Sequence, residues 1–226
     1  MAPYSRKGRA PSEDPLSIVG RTFRKFCIHL INLIYPFAGK GRDLRINYSV
    51  EMDRSAAQRM KFGNWIRIRN DVRLQVVAPY DEAGEPVIVM DDETDIGPQC
   101  TICARNMIHL EQEVTLGQSV LIMDHSPAHQ DIHTPIKDQG VSDGGRIRIG
   151  KGSFIAQGSV ILCDKGELVI GRNSIIAANS LVTKSFPAYS LIAGNPARMV
   201  QQFDPVEGVW VLGGTRSKSN GAARKI

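Results

Sequence analysis

Aliphatic residues return every six positions through the C-terminal half of this 226-residue chain, and few folds tolerate that period. From Ile149 the chain reads IGKGSF, IAQGSV, ILCDKGELV, IGRNSI, IAANSL, VTKSFP. The aliphatic places are Ile149, Ile155, Ile161, Ile170, Ile176 and Val182, with one step of nine among steps of six. Four positions after four of them stands a serine: Ser153, Ser159, Ser174 and Ser180. An α-helix needs a period near 3.6, so this pattern excludes one. Period six suits a short strand followed by a corner. Three such units close one triangular coil, and stacked coils bury a continuous aliphatic column. A parallel β-helix is therefore expected, with small residues at the fifth place to fit the corners.

The same grammar runs upstream. Phe62, Ile68 and Leu74 are six apart, as are Met90, Ile96 and Ile102, and then Leu116 and Ile122. Ile66, Val72, Ala78, Thr94, Cys100, Val114 and Val120 take fifth places. Between Ile102 and Leu110 the register slips by two residues. Cys100-x-x-Cys103 falls inside the repeat and reads as structural, since free cysteine packs as a small hydrophobe. Two insertions interrupt the coils: YDEAGEPVIV at residues 80–89 and a longer one at 123–146. Residues 16–34 are expected to form a helix with a basic side. The end from about Thr215 is polar and reads as a tail. The domains follow: a basic, helical extension over residues 1–60, the repeat domain over 61–202 with its 123–146 loop, and a tail over 203–226.

The net charge of +5 sits at the ends. Residues 1–45 carry nine Lys/Arg against three Asp/Glu, and residues 215–226 carry four Lys/Arg and no acid. The interior is net acidic, and no aromatic-rich basic stripe accompanies the ends, which argues against a nucleic-acid partner. The four cysteines are too scattered for a disulfide framework. No secretory signal is evident. The apolar run from Phe26 to Ala38 is shorter than the about 20 residues a bilayer span needs. The expected compartment is the cytoplasm. The basic residues and the run FCIHLINLIYPF also raise contact with the inner face of a membrane, against the plainer reading of a helix packed on the solenoid end.

Three segments carry a family likeness. VTKSFPAYSLIAGNPAR resembles the closing signature of the hexapeptide-repeat acyltransferases. IMDHSPAHQDIHTPI resembles their active-site loop, and the coils from Ile147 to Val200 resemble their last coils. The likeness is clear over residues 90–200 and looser from residue 60. It implies a left-handed β-helix, a homotrimer with sites between neighbouring subunits, and acetyl-CoA as donor. The style is closest to bacterial sugar and polysaccharide O-acetyltransferases, which implies a saccharide or lipid-linked saccharide acceptor. Phe154 stands where many relatives carry Trp, a departure that leaves the fold intact.

Acyl transfer from a thioester to a hydroxyl requires a base, oxyanion donors and a slot that aligns both substrates. The thioester is already activated, so no metal or covalent nucleophile is required. Histidine suits the base because its ordinary pKa lies near 6.5. Of His29, His109, His125, His129 and His133, three fall in the 123–146 insertion, and His125 matches the family's catalytic histidine. Its orienting partner is open among Asp124, Asp131 and Asp143; Asp124 matches the motif. The resemblance makes His129, with Asp131, a candidate for acceptor binding. It also places the pantetheine arm of CoA along Ala156, Gly158, Ala177 and Ala178, with Lys184 and Arg198 near the CoA phosphates. Alternatives are an N-acetyltransferase of an amino sugar, a non-catalytic scaffold, and a carbonic-anhydrase-like metalloenzyme. The last needs three zinc histidines in a spacing that His125, His129 and His133 do not match.

Overall fold

A computed structural model describes residues 15–77 and 84–212, and for residues 15–21 and 24 the backbone alone. Residues 1–14, Ala78, part of the 80–89 insertion and the tail from Thr215 lie outside the described residues.

The chain winds through six coils of three short parallel strands each, which stack into three sheets. Strands follow the period predicted. In the fourth coil they are Met107–Leu110, Thr115–Leu116 and Leu121–Met123, and in the fifth Gly144–Ile149, Phe154–Ile155 and Val160–Leu162. Residues six apart lie in neighbouring faces. Residues one coil apart pair directly, as Ile122 does with Ile102 below it and Ile161 above it. The aliphatic places from Phe62 to Val182 are all buried and form one core. The fifth places Ile66, Val72, Thr94, Cys100, Val114, Val120, Ser153, Ser159, Ser174 and Ser180 are buried too. The serine hydroxyls satisfy themselves on carbonyls of the corners, such as Ser159 Oγ donating to Ala177 O at 3.0 Å. Burying about fifteen aliphatic side chains at about 1.5–3 kcal/mol each is the main force holding the stack.

Coils approach so closely that some corners admit no side chain. A Cβ on Gly171 would lie 2.1 Å from the Ala188 nitrogen, and one on Gly97 would lie 2.3 Å from the Gly117 carbonyl oxygen.

The ladder begins earlier than residue 61, where the period alone placed its start. Gly39–Lys40, Arg45–Ile46 and Glu51–Met52 form a first coil that pairs with the second. Lys40, Ile46 and Met52 keep the six-residue step, but Lys40 is exposed and hid the pattern. Its ammonium reaches back to the Asn32 carbonyl instead. The expected helix forms over Pro15–Ile34 and packs on this end of the solenoid, with Ile31 against the core. Sheet structure also runs past residue 202: Ser190–Gly194 adds in parallel to the second face, then Ala197–Asp204 and Val209–Leu212 fold back antiparallel.

Candidate active site

The two-residue slip between Ile102 and Leu110 has a structural product. The strands Thr101–Ala104 and Met107–Leu110 are joined by Arg105 and Asn106, and this turn points three successive backbone N–H groups at one carboxylate. Asp124 accepts Arg105 N–H on Oδ1 at 2.7 Å, and Asn106 and Met107 N–H on Oδ2 at 2.8 and 2.9 Å. Asp124 is wholly buried. A buried carboxylate is costly unless its lone pairs are filled, and here backbone donors fill them.

The remaining bond of Asp124 goes to His125. The Nδ1–H of His125 donates to Asp124 Oδ1 at 2.9 Å, so the candidate acid adjacent in sequence is the one that orients the ring. A carboxylate only accepts, which sets the tautomer and leaves Nε2 as the proton acceptor. His125 is 4% exposed. Its pKa is raised to about 9, chiefly by the bond to Asp124, then by Cys103, against the opposing effect of burial.

Cys103, read from sequence as structural, stands at this site. Its Sγ lies 3.7 Å from His125 Nε2 and 3.6 Å from Gln75 Oε1. Register explains the placement: Cys103 pairs with Met123 on one side and Gln75 on the other, one residue past the inward Ile102. The signal was in the slip, because the repeat locates the residue just before the break beside the loop that starts one coil later. Cys100 keeps its structural reading. Its thiol is buried, pushed up to about 11 by that burial, and donates to the Gly117 carbonyl at 3.0 Å.

The insertion itself spans residues 124–143, since Met123 and Gly144–Arg146 belong to strands. Its ends are tied where Gly145 N–H donates to the Asp124 carbonyl at 2.6 Å. Gly144 has φ of +75°, and a Cβ there would meet that carbonyl oxygen at 2.8 Å.

The other predicted residues make contacts of their own. His129 is exposed, with Nδ1 3.2 Å from the Pro127 carbonyl oxygen. Asp131 is exposed and caps its own turn, accepting His133 N–H at 2.8 Å and the Thr134 hydroxyl at 2.6 Å. Asp143 offers its backbone carbonyl to Asn106 Nδ2 at 2.7 Å. His109 pairs with Asp91 at 2.8 Å, and His29 is exposed on the helix. Ala156 and Gly158 sit on the corner between Phe154–Ile155 and Val160–Leu162, and Ala177 and Ala178 on the same corner one coil on. His125 follows the third face, so those corners differ within one chain. Lys184 is exposed with Nζ 5.6 Å from the Phe186 ring centre, and Arg198 is exposed with Nη1 donating to Ala197 O at 3.2 Å. Among the described residues, concavities on the first coils include one lined by Arg45, Trp65, Arg67 and Glu93 and another by Lys25, Ile28 and Asn47; His125 lines neither of these. Among the described residues, no group of three or more His, Cys, Asp or Glu is placed to hold a metal ion.

No family model matches the chain. It is 28% identical over 181 residues to a probable acetyltransferase of Mycobacterium tuberculosis, covering 76% of this chain and 52% of that one. It therefore spans about half the length of that relative. WbbJ of Escherichia coli, named as a putative O-acetyl transferase of lipopolysaccharide biosynthesis, is 21% identical over 136 residues, covering 58% of this chain and 68% of its own. Among solved structures, AntD from Bacillus cereus, an N-acyltransferase in complex with dTDP and 3-hydroxybutyryl-CoA, superposes with a TM-score of 0.60 at 17% identity. The match covers 76% of this chain and 85% of that one, which establishes a shared fold. Both of these curated relatives carry acetyltransferase names.

Proposed function

We propose, from the premise that the chain belongs with the hexapeptide-repeat acyltransferases its relatives and fold indicate, that it is an acetyl-CoA-dependent O-acetyltransferase acting on a saccharide hydroxyl. The observation that carries this reading is the buried Asp124–His125 pair, held by three backbone N–H groups at a break in the repeat. In the direct transfer, neutral His125 takes the acceptor's hydroxyl proton at Nε2 as the oxygen attacks the thioester carbonyl. Asp124 stabilises the imidazolium so formed, and the proton then passes to the departing CoA thiolate.

The coils are proposed to be left-handed and the working unit a homotrimer. Ala156, Gly158, Ala177 and Ala178 lie on a different corner from His125, which favours a cleft assembled from two copies. In that arrangement the small corners take the pantetheine arm, Lys184 and Arg198 meet CoA phosphates, and the exposed His129–Asp131 stretch contacts the acceptor. The proposed compartment is the cytoplasm.

The test is a screen of saccharide acceptors with acetyl-CoA, read as CoA release, with His125→Ala alongside. Loss of a positioned base is expected to lower kcat by about 10²–10⁴ while acetyl-CoA binding persists. Unchanged turnover would remove His125 from the mechanism, and absence of acetyl-CoA binding would favour a non-catalytic scaffold. A second reading, N-acetylation of an amino sugar, draws support from the fold shared with an N-acyltransferase. Alkali-stable amide rather than labile ester in the product would decide for it.

A further inference from the structure

The N-terminal helix has two apolar faces, and the solenoid covers one. On that side Ile31 packs on the core and Asn32 Nδ2 donates to the Leu44 carbonyl at 3.0 Å. At about 100° per residue, Phe23, Phe26, Leu30, Leu33 and Ile34 fall within an arc of roughly 100° on the other side, where Phe23 also meets the Tyr48 ring of the first coil edge-on, centroids 5.9 Å apart. They are 57, 61, 39, 74 and 42% exposed. A helix resting on a protein core normally turns polar side chains outward. This one presents a continuous apolar stripe, which marks a docking surface.

Cations frame one end of the stripe. Exposed Lys40 reaches the Asn32 carbonyl, and exposed Arg54 donates from Nε to the Ile34 carbonyl at 3.2 Å. Of the neighbouring acids, Asp43 and Glu51 are already paired with Arg45 and Arg73, while exposed Asp53 adjoins Arg54 and offsets part of its charge. The whole segment 1–45 carries nine Lys/Arg against three Asp/Glu. A second copy would bring the same cationic surface, whereas anionic headgroups supply the opposite sign. No helix among the described residues is long and apolar enough to cross a membrane.

We infer that this stripe rests on an anionic phospholipid bilayer, with the helix lying in the plane of the interface and the solenoid carried above it. Aromatic and aliphatic side chains enter the headgroup boundary, and Lys40 and Arg54 meet the phosphates. The inference goes beyond the acyl-transfer reading and stands independently of it.

The test is co-sedimentation of the full chain with vesicles of phosphatidylcholine alone or with added phosphatidylglycerol. Wild type is expected to pellet with the anionic vesicles and to be released by salt. The double variant Phe26→Glu, Leu33→Glu alters two exposed positions, so its melting temperature should match wild type, and its partition should fall at least about tenfold. Its acetyl transfer to a soluble acceptor should be unchanged, which separates this inference from the catalytic one. Wild type that stays in the supernatant with both vesicles overturns the inference, as does a variant that pellets equally well. If the variant instead breaks up an oligomer in sedimentation velocity while wild type ignores vesicles, the stripe joins copies of this chain and the lipid proposal is wrong.

Discussion

Asp124→Asn is nearly isosteric, so its effect isolates charge and donor placement. Both carboxylate oxygens are occupied by donors: Arg105 N–H and His125 Nδ1–H on Oδ1, Asn106 and Met107 N–H on Oδ2. An amide nitrogen in either place faces two donors with a donor. Two accepted bonds are lost whichever way the amide turns. Hydrogen bonds to a charged group are worth about 1.5–3 kcal/mol each, so the expected loss is about 3–6 kcal/mol. A separate bound comes from His125. Raising its pKa from 6.5 to about 9 corresponds to at most about 3–4 kcal/mol, and Asp124 is the largest cause. The two figures share the His125 bond and are not summed. For a chain of this size, 1 kcal/mol moves the melting temperature by about 2–4 °C, so a fall of at least about 6 °C is expected. The assay is a thermal melt near pH 6, combined with an NMR titration of the His125 ring. In the variant the ring should titrate well below its wild-type value. A melt within about 2 °C of wild type, or a ring that still titrates near 9, would refute Asp124 as the clamp.

The raised pKa of His125 also sets two pH dependences. As a base it must be neutral, so kcat/KM should climb with pH, reach half its limiting value near 9 and level off above it. For stability the sign is the reverse. A folded pKa above the unfolded 6.5 contributes stability that is complete below 6.5 and lost as pH rises through about 9. Denaturant melts of wild type against His125→Ala at the two ends of that window measure it, and a constant difference would rule the linkage out. Cys103→Ala removes the second group that raises His125, so the rising limb of kcat/KM should move to lower pH; an unmoved limb would return Cys103 to a packing role. Gly171→Ala sets a Cβ 2.1 Å from the Ala188 nitrogen and should cost on the order of 3 kcal/mol in a urea melt, and a near-neutral result would mean the coils separate more easily than their contacts imply.

Much of the solenoid was legible because its rule is local. A six-residue step returns each inward side chain to an equivalent face, so Ile122, Ile155 and Ile176 declared their burial without any long-range information. The first coil was missed because Lys40 occupies an aliphatic place of the period and bonds the helix instead, an exception only the packed end explains. The candidate base, likewise, was visible as a histidine in the longest break of the repeat.

What the chain could not show alone was which residues meet across coils. Asp124, Asp131 and Asp143 all stood as partners for His125, with only a motif to favour the first. The N–H groups of Arg105, Asn106 and Met107 decide among them, and those groups lie seventeen or more residues from Asp124. Cys103 looked like any buried repeat residue until stacking set it against His125. The helix face followed the same pattern, since composition left packing and membrane contact as rivals while the tertiary structure packs Ile31 on the solenoid core and leaves Phe26 and Leu33 largely exposed. Sequence periodicity determines which way each side chain points, because direction follows from the local strand and corner. The tertiary structure alone decides what stands opposite it, because partners are set by the stacking of coils distant along the chain.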